Sequence, residues 1–493
     1  MRYKDGNDDK PKPDISIMIL NWNTAKLLEQ CLTSIIQNTD SISYELMIID
    51  NNSAGTDFKK VKQKFSEYTN FTWIENNKNV GGLAHNQVLP YCRGRYLLLM
   101  GPDTIVLPQC LKKMVDFLDN NKEAGAVTAK LLNPDGSPQN YYFKFWNLLM
   151  VFFSTLAGRL IDKLFFKDRF KRDNFGGNID PNKIIVVEQP AAVCFMFRRN
   201  LIATEYIIDV DFPFYFGDVD LCKRIYDKGY KIFLLPSAEV IHFQGSSFKK
   251  ADSNWKSKEY RSSLIKYFKK YHKNKVMLLK LILLLDDVGK YIYKKLFTSF
   301  VECMERELSD CDTVLDLGCG RNSPIQYYNV PFSVGVELSE PYLEESKKKG
   351  IHNQYMKADI RKVEFKLKSF DAVLCLEVLE HLTKEEGYEL IKKMERWARK
   401  KIIITTPNEY LRRDGYDNNP LQEHKSGWSV EELEMFGFKV FGMDGCKKLR
   451  EYKGSVKYKS TLFWEIISVL TQKITYRHPK LAFQLYAVKE IEN

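Results

Sequence analysis

The sequence predicts an α/β protein with two doubly wound domains, and three observations support this fold class. The chain has 493 residues, more than one hydrophobic core usually serves. Short β-branched runs alternate with helical stretches between about residues 14 and 248, and a second such series begins near Thr313. No internal repeat relates the two halves, so we expect each half to form its own sheet.

The first series opens with two apolar runs, Ile15–Leu20 and Glu45–Asp50, which we predict to be buried parallel strands. Between them Leu28, Leu32 and Ile35 recur at helical spacing. A strand, a helix and a strand of this length make a βαβ unit, and sheets built from such units bind ligands at the carboxyl ends of their strands. A binding site is therefore expected where these runs end.

The remaining strand candidates and the domain limits follow from the same patterns. In the second series the predicted strands are Thr313–Leu317, Ser333–Glu337, Ala372–Cys375 and Lys401–Thr405. We predict a polar tail over 1–13, a first domain over 14–250, a basic helical connector over 251–300 and a second domain over 301–493.

Composition excludes several classes of protein. The apolar share of 44% and charged share of 28% are ordinary for globular protein, so the chain is not expected to be disordered or fibrous. The ten cysteines include no CxxC pair, which argues against a disulfide scaffold or a zinc site. The polar N-terminus lacks the apolar stretch of a signal peptide, so a cytoplasmic location is predicted.

The positive charge is concentrated in one segment. The net charge is +12, and Lys249–Phe300 contains fourteen Lys and Arg against four Asp and Glu. Two apolar stretches, Phe143–Phe166 and Val276–Leu285, lie near basic residues but are too short or too interrupted to span a bilayer. They are either core helices beside a solvated basic face or helices in the plane of an anionic membrane. No recognised nucleic-acid module accompanies them, so no nucleic-acid partner is expected.

Polar residues follow the predicted strands of the first half. The motifs are Ile19-Leu20-Asn21-Trp22-Asn23, Asp50-Asn51-Asn52-Ser53, Asn79-Val80-Gly81-Gly82 with Asn86, Gly101-Pro102-Asp103-Thr104 after the predicted strand Arg95–Met100, Gly217-Asp218-Val219-Asp220-Leu221, and Ile241-His242 with Gly245 and Ser247. Transfer of a sugar from a nucleoside diphosphate needs a divalent cation on hard oxygen ligands and a carboxylate that takes the acceptor proton. Taken alone, an aspartate of these motifs is more often a turn or a helix cap, and His242 is more often a structural histidine.

Together these motifs resemble family-2 inverting glycosyltransferases of the GT-A fold, over nearly all of residues 14–270. The likeness is closest to the rhamnosyltransferase-like branch that builds bacterial surface polysaccharides. It implies Asp50 at the nucleotide base, Asp103 at the diphosphate, a divalent cation (Mg²⁺ or Mn²⁺) on Asp103 and His242, and Asp218 as general base. It also implies a donor-binding set of Asn21, Asp50, Asn52, Gly81, Asn86 and Asp103. Gly101 and Gly217 stand where members of the family often carry acids.

The resemblance also bears on the acceptor. Acceptors in this branch are usually lipid-linked saccharides, which favours the membrane interpretation of the two apolar stretches. We therefore expect a nucleotide-sugar donor, a lipid-linked saccharide acceptor, and peripheral binding to the anionic cytoplasmic face of the membrane.

The second half contains a glycine turn directly after its first strand. The strand residues Val314-Leu315-Asp316-Leu317 run into the turn Gly318-Cys319-Gly320. The next strand ends in Glu337, which is placed to bind ribose hydroxyls. Glycines at such a turn let the backbone approach a cofactor closely. This pattern alone fits a nicotinamide site equally well.

Further motifs separate the two cofactors. Lys357-Ala358-Asp359-Ile360, Glu377-Val378-Leu379-Glu380-His381-Leu382 and Pro407-Asn408 follow in order. With the glycine turn they resemble class I S-adenosylmethionine-dependent methyltransferases with a Rossmann-like fold, over about 300–450. The resemblance implies cofactor contacts from Asp316, Gly318, Gly320, Glu337, Asp359 and Glu377. Asn322 replaces the usual third glycine.

Methyl transfer to a sugar hydroxyl also needs a base or a metal ion. His381 and His424 are the candidate bases, although the run that contains His381 could equally serve packing. The combined hypothesis is a bifunctional enzyme of surface-glycan biosynthesis, which transfers a sugar (rhamnose is one candidate) and methylates a glycan hydroxyl. The alternative is that one domain only binds and recruits the active domain to a lipid-linked acceptor.

Overall fold

The computed structural model describes residues 11–39, 41–139, 142–174, 180–202, 206–243, 253–296, 299–328, 330–411, 419–450 and 461–491. The chain divides into two compact units, residues 1–287 and 288–493. The motif residues Gly245 and Ser247 lie outside the described residues, as does most of the predicted polar tail.

The first unit is built on a mixed nine-stranded sheet. The strands up to residue 242 are β1 (Ile15–Asn21), β2 (Tyr44–Asp50), β3 (Phe71–Glu75), β4 (Tyr96–Met100), β5 (Thr104–Val106), β6 (Ala124–Leu132), β7 (Tyr142–Phe143), β8 (Ile185–Val186), β9 (Gln189–Pro190), β10 (Cys194–Arg198) and β11 (Lys231–His242). The sheet order is β3-β2-β1-β4-β10-β6-β11-β5, β8 pairs with β11, and β7 and β9 form a separate ribbon.

Helices surround this sheet. They are α1 (Ala25–Asn38), α2 (Asp57–Lys64), α3 (Ala84–Val88), α4 (Cys110–Asn120), α5 (Leu148–Ser154), α6 (Leu156–Phe166), α7 (Arg169–Asn174), α8 (Gly217–Asp227), α9 (Ser253–Tyr271) and α10 (Val276–Leu296). The apolar positions of α1 predicted from their spacing, Leu28, Leu32 and Ile35, are fully buried against the sheet. The predicted βαβ unit is confirmed, with β1 and β2 parallel and in register from Ile15 to Asn21.

The strand directions bring one set of strand ends to a common edge. β1 is parallel to both β2 and β4, whereas β10 is antiparallel to both β4 and β6. β11 is parallel to β6. It follows that β1, β2, β4, β6 and β11 run the same way and that their carboxyl ends share one edge of the sheet.

Helix α9 is anchored to the start of α8 by buried charge. Asp220 of α8 accepts hydrogen bonds from Lys270 Nζ (2.6 Å) and the Tyr271 hydroxyl (2.7 Å), and Arg224 Nε donates to its second oxygen (2.8 Å). Lys270 also bonds Asp209 Oδ2 at 2.6 Å. Because Asp220 is fully buried, its charge needs these partners, and they hold α9 against the segment that begins α8.

The second unit is a seven-stranded sheet flanked by helices. Its strands are β12 (Thr313–Leu317), β13 (Phe332–Glu337), β14 (Gln354–Lys357), β15 (Phe370–Leu376), β16 (Ala398–Pro407), β17 (Lys439–Cys446) and β18 (Ala482–Glu490). Its remaining helices are α11 (Phe300–Leu308), α12 (Glu340–Lys349), α13 (Lys384–Trp397), α14 (Val430–Met435) and α15 (Thr461–Arg477). All four strands predicted here are confirmed, each within a few residues of its predicted limits.

The order of this sheet is β14-β13-β12-β15-β16-β18-β17. The first five strands in that order are parallel, and β18 enters antiparallel between β16 and β17. After β12 the chain adds β13 and β14 on one side of it, and then crosses to the other side with β15. In sheets of this kind ligands bind where the strand order reverses, outside the carboxyl ends of the strands.

The predicted apolar stretches are helical. Phe143–Phe166 becomes β7, α5 and α6, and Val276–Leu285 is the first half of α10. Among the helices that the structure describes, none is both long enough and apolar enough to cross a membrane.

Candidate active sites

The first candidate site lies at the common edge of the first sheet. Asn21 ends β1 fully buried, and its Nδ2 donates to Asp50 Oδ1 (2.7 Å) and to Ser53 Oγ (3.0 Å). Ser53 in turn donates its backbone N–H to Asp50 Oδ2 at 2.9 Å. The predicted residues Asn21 and Asp50 are thus brought together. Asn52 is exposed in the same turn, with a φ of 65°.

Asn51, which the sequence analysis did not select, ties two loops of this edge together. Its Nδ2 donates to Asn79 Oδ1 (2.7 Å) and to the Gly81 carbonyl (3.2 Å), while its Oδ1 accepts from the Val80 N–H (3.2 Å). The family resemblance points instead to its neighbour Asp50, whose carboxylate is expected to bind the nucleotide base. The position of Asn51 in the same motif was the only signal that could have identified it.

Gly81 permits close contact between two chain segments. Its φ is 60°, and a Cβ there would lie 2.2 Å from the Pro213 carbonyl oxygen. The N–H of Gly82 donates to that same oxygen at 2.6 Å. Gly81 therefore fixes the segment before Asp218 against the turn that follows β3.

We expect Gly81→Ala to destabilise the first unit because the new methyl group meets the backbone oxygen of Pro213, which cannot move aside easily, and the ring of Phe214. The matched control is Gly55→Ala, which has a φ of 77° but no atom within 4 Å of the added Cβ. Both variants carry the left-handed backbone penalty, and only Gly81→Ala adds a clash of about 1–3 kcal/mol. Urea denaturation of both proteins measures the difference. Equal free energies of unfolding would contradict this prediction.

Asp103 and His242 meet at the same edge. His242 Nε2 lies 3.7 Å from Asp103 Oδ2, and both side chains are almost fully buried. The backbone N–H of Phe243 donates to the Asp103 carbonyl at 2.9 Å, which holds the two chain segments side by side. Burial lowers the pKa of His242, while the Asp103 carboxylate opposes that shift. The ring is therefore favoured in its neutral form, in which it can bind a metal ion.

Gln139 sets the tautomer of His242. Its Nε2 donates to the His242 carbonyl (2.8 Å) and to Asn133 Oδ1 (2.8 Å), so its Oε1 is the acceptor for His242 Nδ1 at 2.9 Å. Nδ1 therefore carries the hydrogen, and the lone pair of the neutral ring is on Nε2, the atom nearest Asp103. A carboxylate oxygen and an imidazole nitrogen arranged in this way fit a divalent cation. Nothing in the sequence pattern marked Gln139.

Asp218 lies in the first turn of α8. Its Oδ1 accepts the Val219 N–H at 2.9 Å, and Phe216, with a φ of 68°, starts the helix. Burial raises the pKa of Asp218, and this effect exceeds that of the backbone hydrogen bonds, which lower it. A carboxylate with a raised pKa is a better proton acceptor than an ordinary aspartate.

Gly101 and Gly217, which stand where members of the resembled family often carry acidic residues, occupy crowded positions. A Cβ at Gly101 would lie 2.8 Å from Asp103 Oδ1, and one at Gly217 would lie 3.0 Å from the Phe212 carbonyl oxygen. An acid at position 101 would therefore press on the Asp103 carboxylate.

Asn86 differs in its surroundings from the other predicted donor-binding residues. Its Oδ1 accepts the backbone N–H groups of Ile207 and Ile208, both at 3.0 Å, and its Nδ2 donates to the Ile208 carbonyl at 2.7 Å. These bonds support a positioning role in the segment that leads to Asp218.

The second candidate site is a cavity of about 630 Å³ at the carboxyl ends of β12, β13 and β15. This volume is in the range of small-molecule sites. Its walls include five of the predicted cofactor residues and one predicted base: Gly318, Gly320, Glu337, Asp359, Glu377 and His381.

Glu337 joins the glycine turn to the end of β13. Its Oε2 accepts the Gly320 N–H at 2.9 Å, its Oε1 accepts the Ser339 N–H at 2.7 Å, and burial raises its pKa. Gly318 has a φ of 65°, and a Cβ there would lie 2.6 Å from the Val378 side chain. Asp359, by contrast, has its pKa held low by its hydrogen bonds with Arg361. The cavity is thus lined by carboxylates and backbone N–H groups, which fits a cofactor with ribose hydroxyls and a cationic sulfonium.

Asp316 is buried beneath the cavity and does not line it. Its Oδ2 accepts from the Ser323 hydroxyl (2.5 Å) and lies 3.0 Å from His352 Nε2. In this structure Asp316 shapes the glycine turn from behind.

His424, the other predicted base, is buried beside His381. The two rings meet edge to face with their centroids 4.9 Å apart. Glu380 adjoins them, 2% exposed, and its Oε2 accepts from the Thr406 hydroxyl at 3.2 Å. The structure therefore brings the two candidate bases together with a carboxylate, and of these three residues His381 lines the cavity.

Comparison with known proteins finds a different family model for each half of the chain. Residues 16–188 match the model for glycosyl transferase family 2, and residues 315–404 match a model described as a methyltransferase domain. An uncharacterized glycosyltransferase of Methanocaldococcus jannaschii is 25% identical over 147 residues, 27% of this chain and 49% of that protein. A poly(ribitol-phosphate) beta-glucosyltransferase of Bacillus spizizenii is 26% identical over 132 residues, 26% of this chain and 21% of that protein.

Among solved structures, a mannosyltransferase of Pyrobaculum calidifontis in complex with GDP-Man and Mn²⁺ superposes with a TM-score of 0.35 and 16% identity, covering 55% of this chain and 68% of that one. The chain spans half or less of the length of the two curated relatives described above. Residues 16–188 are therefore similar to glycosyl transferase family 2, and residues 315–404 are similar to methyltransferase domains, so the chain joins segments that match two different transferase models.

Proposed function

We propose that the first unit transfers a sugar, with inversion, from a nucleotide-sugar donor to a saccharide acceptor of a surface glycan. The observation that carries this proposal is the pairing of Asp103 Oδ2 with His242 Nε2 at 3.7 Å. A divalent cation on these two ligands supplies positive charge for the departing diphosphate. The donor's base and ribose are assigned to Asn21, Asp50 and Asn52.

Asp218 is assigned the role of general base. It takes the proton of the acceptor hydroxyl while the oxygen attacks the anomeric carbon opposite the departing diphosphate, which inverts the configuration at that carbon. Phe216 and Gly217 fix the start of α8, and the ion pairs of Asp220 hold that helix in place behind Asp218.

The acceptor proposed here is a lipid-linked saccharide, and rhamnose is one candidate for the sugar transferred. The curated relative from Bacillus spizizenii acts, by its name, on poly(ribitol-phosphate), a polyol phosphate polymer. Polymers of that kind belong to the same broad class of surface glycans and should be included among the acceptors tested.

The second unit is proposed to methylate a hydroxyl group of the same glycan with S-adenosylmethionine. The residues that line its cavity support binding of this cofactor, with Glu337 at the ribose, Asp359 near the adenine, and Gly318 and Gly320 beside the methionine moiety. A short covalent tether raises the effective concentration of one product at the next active site, which is the advantage of joining the two transferases.

A donor panel tests the sugar-transfer proposal. The full chain is incubated with each nucleotide-sugar and Mn²⁺ or Mg²⁺, with and without EDTA, and release of nucleoside diphosphate is followed with and without acceptor. Turnover of one donor that EDTA abolishes supports the proposal. Binding of donors without turnover in the presence of every acceptor class would instead favour the alternative, in which this unit only recruits.

The pH dependence of sugar transfer follows from the raised pKa of Asp218. The base must be ionised, so the rate should fall as pH decreases through the pKa of Asp218, above the value of about 3.9 for an ordinary aspartate. The measurement is kcat/KM for sugar transfer across the acid range. The far-UV circular dichroism of the same protein in the same buffers controls for acid unfolding. An acid limb at the pKa of an unperturbed aspartate would contradict the assignment.

Peripheral membrane binding is proposed for the surface formed by α6 and the first half of α10. Met277 is 79% exposed and Phe165 is 75% exposed, and both helices also carry lysines. The N–H of Leu156, at the start of α6, donates to Asp286 Oδ1 of α10 at 2.9 Å, so the two helices adjoin. Exposed apolar side chains beside lysines are typical of helices that lie in an anionic membrane surface.

We expect the protein to float with vesicles that contain anionic phospholipid at moderate salt. The double change Leu281→Asp with Leu285→Asp should abolish flotation because it replaces apolar contacts with repelled charge. The control is Met435→Asp, which alters an even more exposed apolar side chain on α14. Absence of wild-type flotation, or equal flotation of all three proteins, would contradict the proposal.

A further inference from the structure

Three potential metal ligands meet in the second unit, where His381 lines the cavity and the buried Glu380 and His424 lie beside it. One carboxylate oxygen of Glu380 and one ring nitrogen each of His381 and His424 all lie within 4.8 Å of one another. Ligands about 2.1 Å from one ion are up to about 4.2 Å apart, so only a small inward movement completes a shared coordination sphere.

The hydrogen bonds of the two histidines determine which nitrogen faces a cation. His381 Nδ1 lies 3.0 Å from the Glu423 carbonyl oxygen, and His424 Nδ1 lies 2.6 Å from the Leu411 carbonyl oxygen. A carbonyl only accepts, so both Nδ1 atoms carry hydrogen and both neutral rings carry their lone pair on Nε2. Metal-binding histidines are typically oriented by such bonds from the opposite nitrogen.

The backbone holds the cluster together. The carbonyl oxygen of Glu380 accepts the N–H groups of Lys425 (2.7 Å) and Ser426 (3.1 Å), which fixes the segment of His424 against the turn that contains Glu380 and His381. Glu380 is buried, and one of its carboxylate oxygens lies within 4.8 Å of a nitrogen of each imidazole. A buried carboxylate beside two neutral nitrogen donors is a set that a dication neutralises.

We propose that Glu380, His381 and His424 bind a divalent transition-metal ion that activates the hydroxyl group to be methylated. Two imidazole nitrogens and one carboxylate oxygen favour Mn²⁺, Fe²⁺, Co²⁺ or Zn²⁺ over Ca²⁺ or Mg²⁺. Three protein ligands leave coordination positions for substrate oxygens, so the substrate class is an alcohol that can chelate the ion, such as a vicinal diol of a sugar ring. The catalytic role rests on the proposed O-methylation, whereas binding of the ion does not.

The ion lowers the pKa of a hydroxyl that coordinates it. The hydroxyl proton passes to water in the cavity. The oxygen then forms a bond to the methyl carbon of S-adenosylmethionine, and the carbon–sulfur bond breaks with its electron pair returning to sulfur, which leaves a methyl ether and a neutral thioether. His381 and His424 act here as ligands, not as the bases that the sequence analysis selected.

Cobalt binding tests the site without any substrate. The full chain is prepared with Asp103→Asn and His242→Gln, which remove the proposed cation ligands of the first unit, stripped with EDTA, and titrated with Co²⁺. We expect one Co²⁺ per chain with visible absorption typical of nitrogen and oxygen ligation. His381→Ala and Glu380→Gln in this background should each weaken binding by more than about 100-fold, beyond the effect of outer-shell changes.

The controls separate a specific site from general metal affinity. In Glu380→Gln the new amide oxygen can still accept the hydrogen bond of the Thr406 hydroxyl. We therefore expect this variant to keep the fold even if His381→Ala does not. His478→Ala removes an exposed histidine of the same unit and should leave Co²⁺ binding unchanged. No Co²⁺ binding in the starting background, binding that survives both ligand changes, or equal loss in His478→Ala would each overturn the proposal.

Failure of the metal site and failure of the proposed methylation give different results. Methylation of an acceptor that already carries the sugar, if it persists after complete metal removal, overturns the catalytic role of the ion and leaves O-methylation intact. Specific Co²⁺ binding without methylation of any glycan acceptor supports the site and overturns the proposed substrate class.

Discussion

Asp218→Asn is expected to reduce sugar transfer by about 10²–10⁴-fold, the range for loss of a general base, with little change in donor binding. The amide keeps the size of the side chain and can still accept the Val219 N–H, so the start of α8 should be preserved. Only the capacity to take a proton is lost. Initial rates of sugar transfer, together with calorimetric titration of the donor, measure the two effects separately.

The control for this change is Asp227→Asn at the other end of the same helix. Asp227 pairs at the surface with Lys223 and lies far along α8 from the proposed base, so its loss should leave transfer unchanged. If Asp218→Asn transferred sugar at the wild-type rate, Asp218 would not be the base. If the wild-type protein bound donor and never transferred it, the first unit would be a recruiting module.

Asp103→Ala is expected to reduce metal-supported sugar transfer by at least about 100-fold, because a cation at the diphosphate supplies several kcal/mol of charge stabilisation. The variant should also lose its response to EDTA, since His242 alone is a weak site. Transfer rates at increasing Mn²⁺ concentration are the measurement. The rates should stay low even at Mn²⁺ concentrations that saturate the wild-type protein.

Asp116→Ala is the matched control, since Asp116 is a half-exposed carboxylate on α4 whose partner is Lys112. It removes one acid from the first unit without touching the candidate site. A wild-type Mn²⁺ dependence in Asp103→Ala would show that the cation is held elsewhere, and the proposed pairing with His242 would then be structural.

The local patterns predicted the strands that carry both sites. Ile15–Leu20 and Thr313–Leu317 are mainly apolar because parallel strands are covered on both faces, and both are strands in the structure. The antiparallel insertions were not predicted. β10 lies between β4 and β6, and β18 lies between β16 and β17, through pairings between distant segments that local periodicity does not encode.

The sequence motifs predicted which loops carry the candidate sites, but not which side-chain atoms are available to a ligand there. Asp316 and Asn86 lie within the predicted motifs, yet their polar atoms bond to neighbouring protein groups, whereas Asp103 Oδ2 lies 3.7 Å from His242 Nε2. The side-chain partners of such residues depend on loops far away in the chain. For the same reason neither Gln139 nor Asn51 was selected.

The number of charged residues in the sequence does not reveal that the basic segment also forms buried ion pairs. Lys270 contributes to the excess of positive charge in 249–300, but in the structure it is paired with the buried Asp220 and with Asp209. A sequence total cannot distinguish a lysine that binds an internal carboxylate from one that faces a membrane. Helix α9 is consequently part of the support of α8 and of Asp218.

The claim that both units act on one glycan is tested most directly by following a labelled methyl group. The full chain is incubated with acceptor, nucleotide-sugar and S-adenosylmethionine labelled in its methyl group, and the product is analysed by mass spectrometry. We predict that label enters the glycan only when the nucleotide-sugar is present, that Asp218→Asn abolishes labelling, and that an acceptor already carrying the sugar restores it. Labelling that is independent of the nucleotide-sugar and of Asp218, or label found only in a non-saccharide product, would contradict the account.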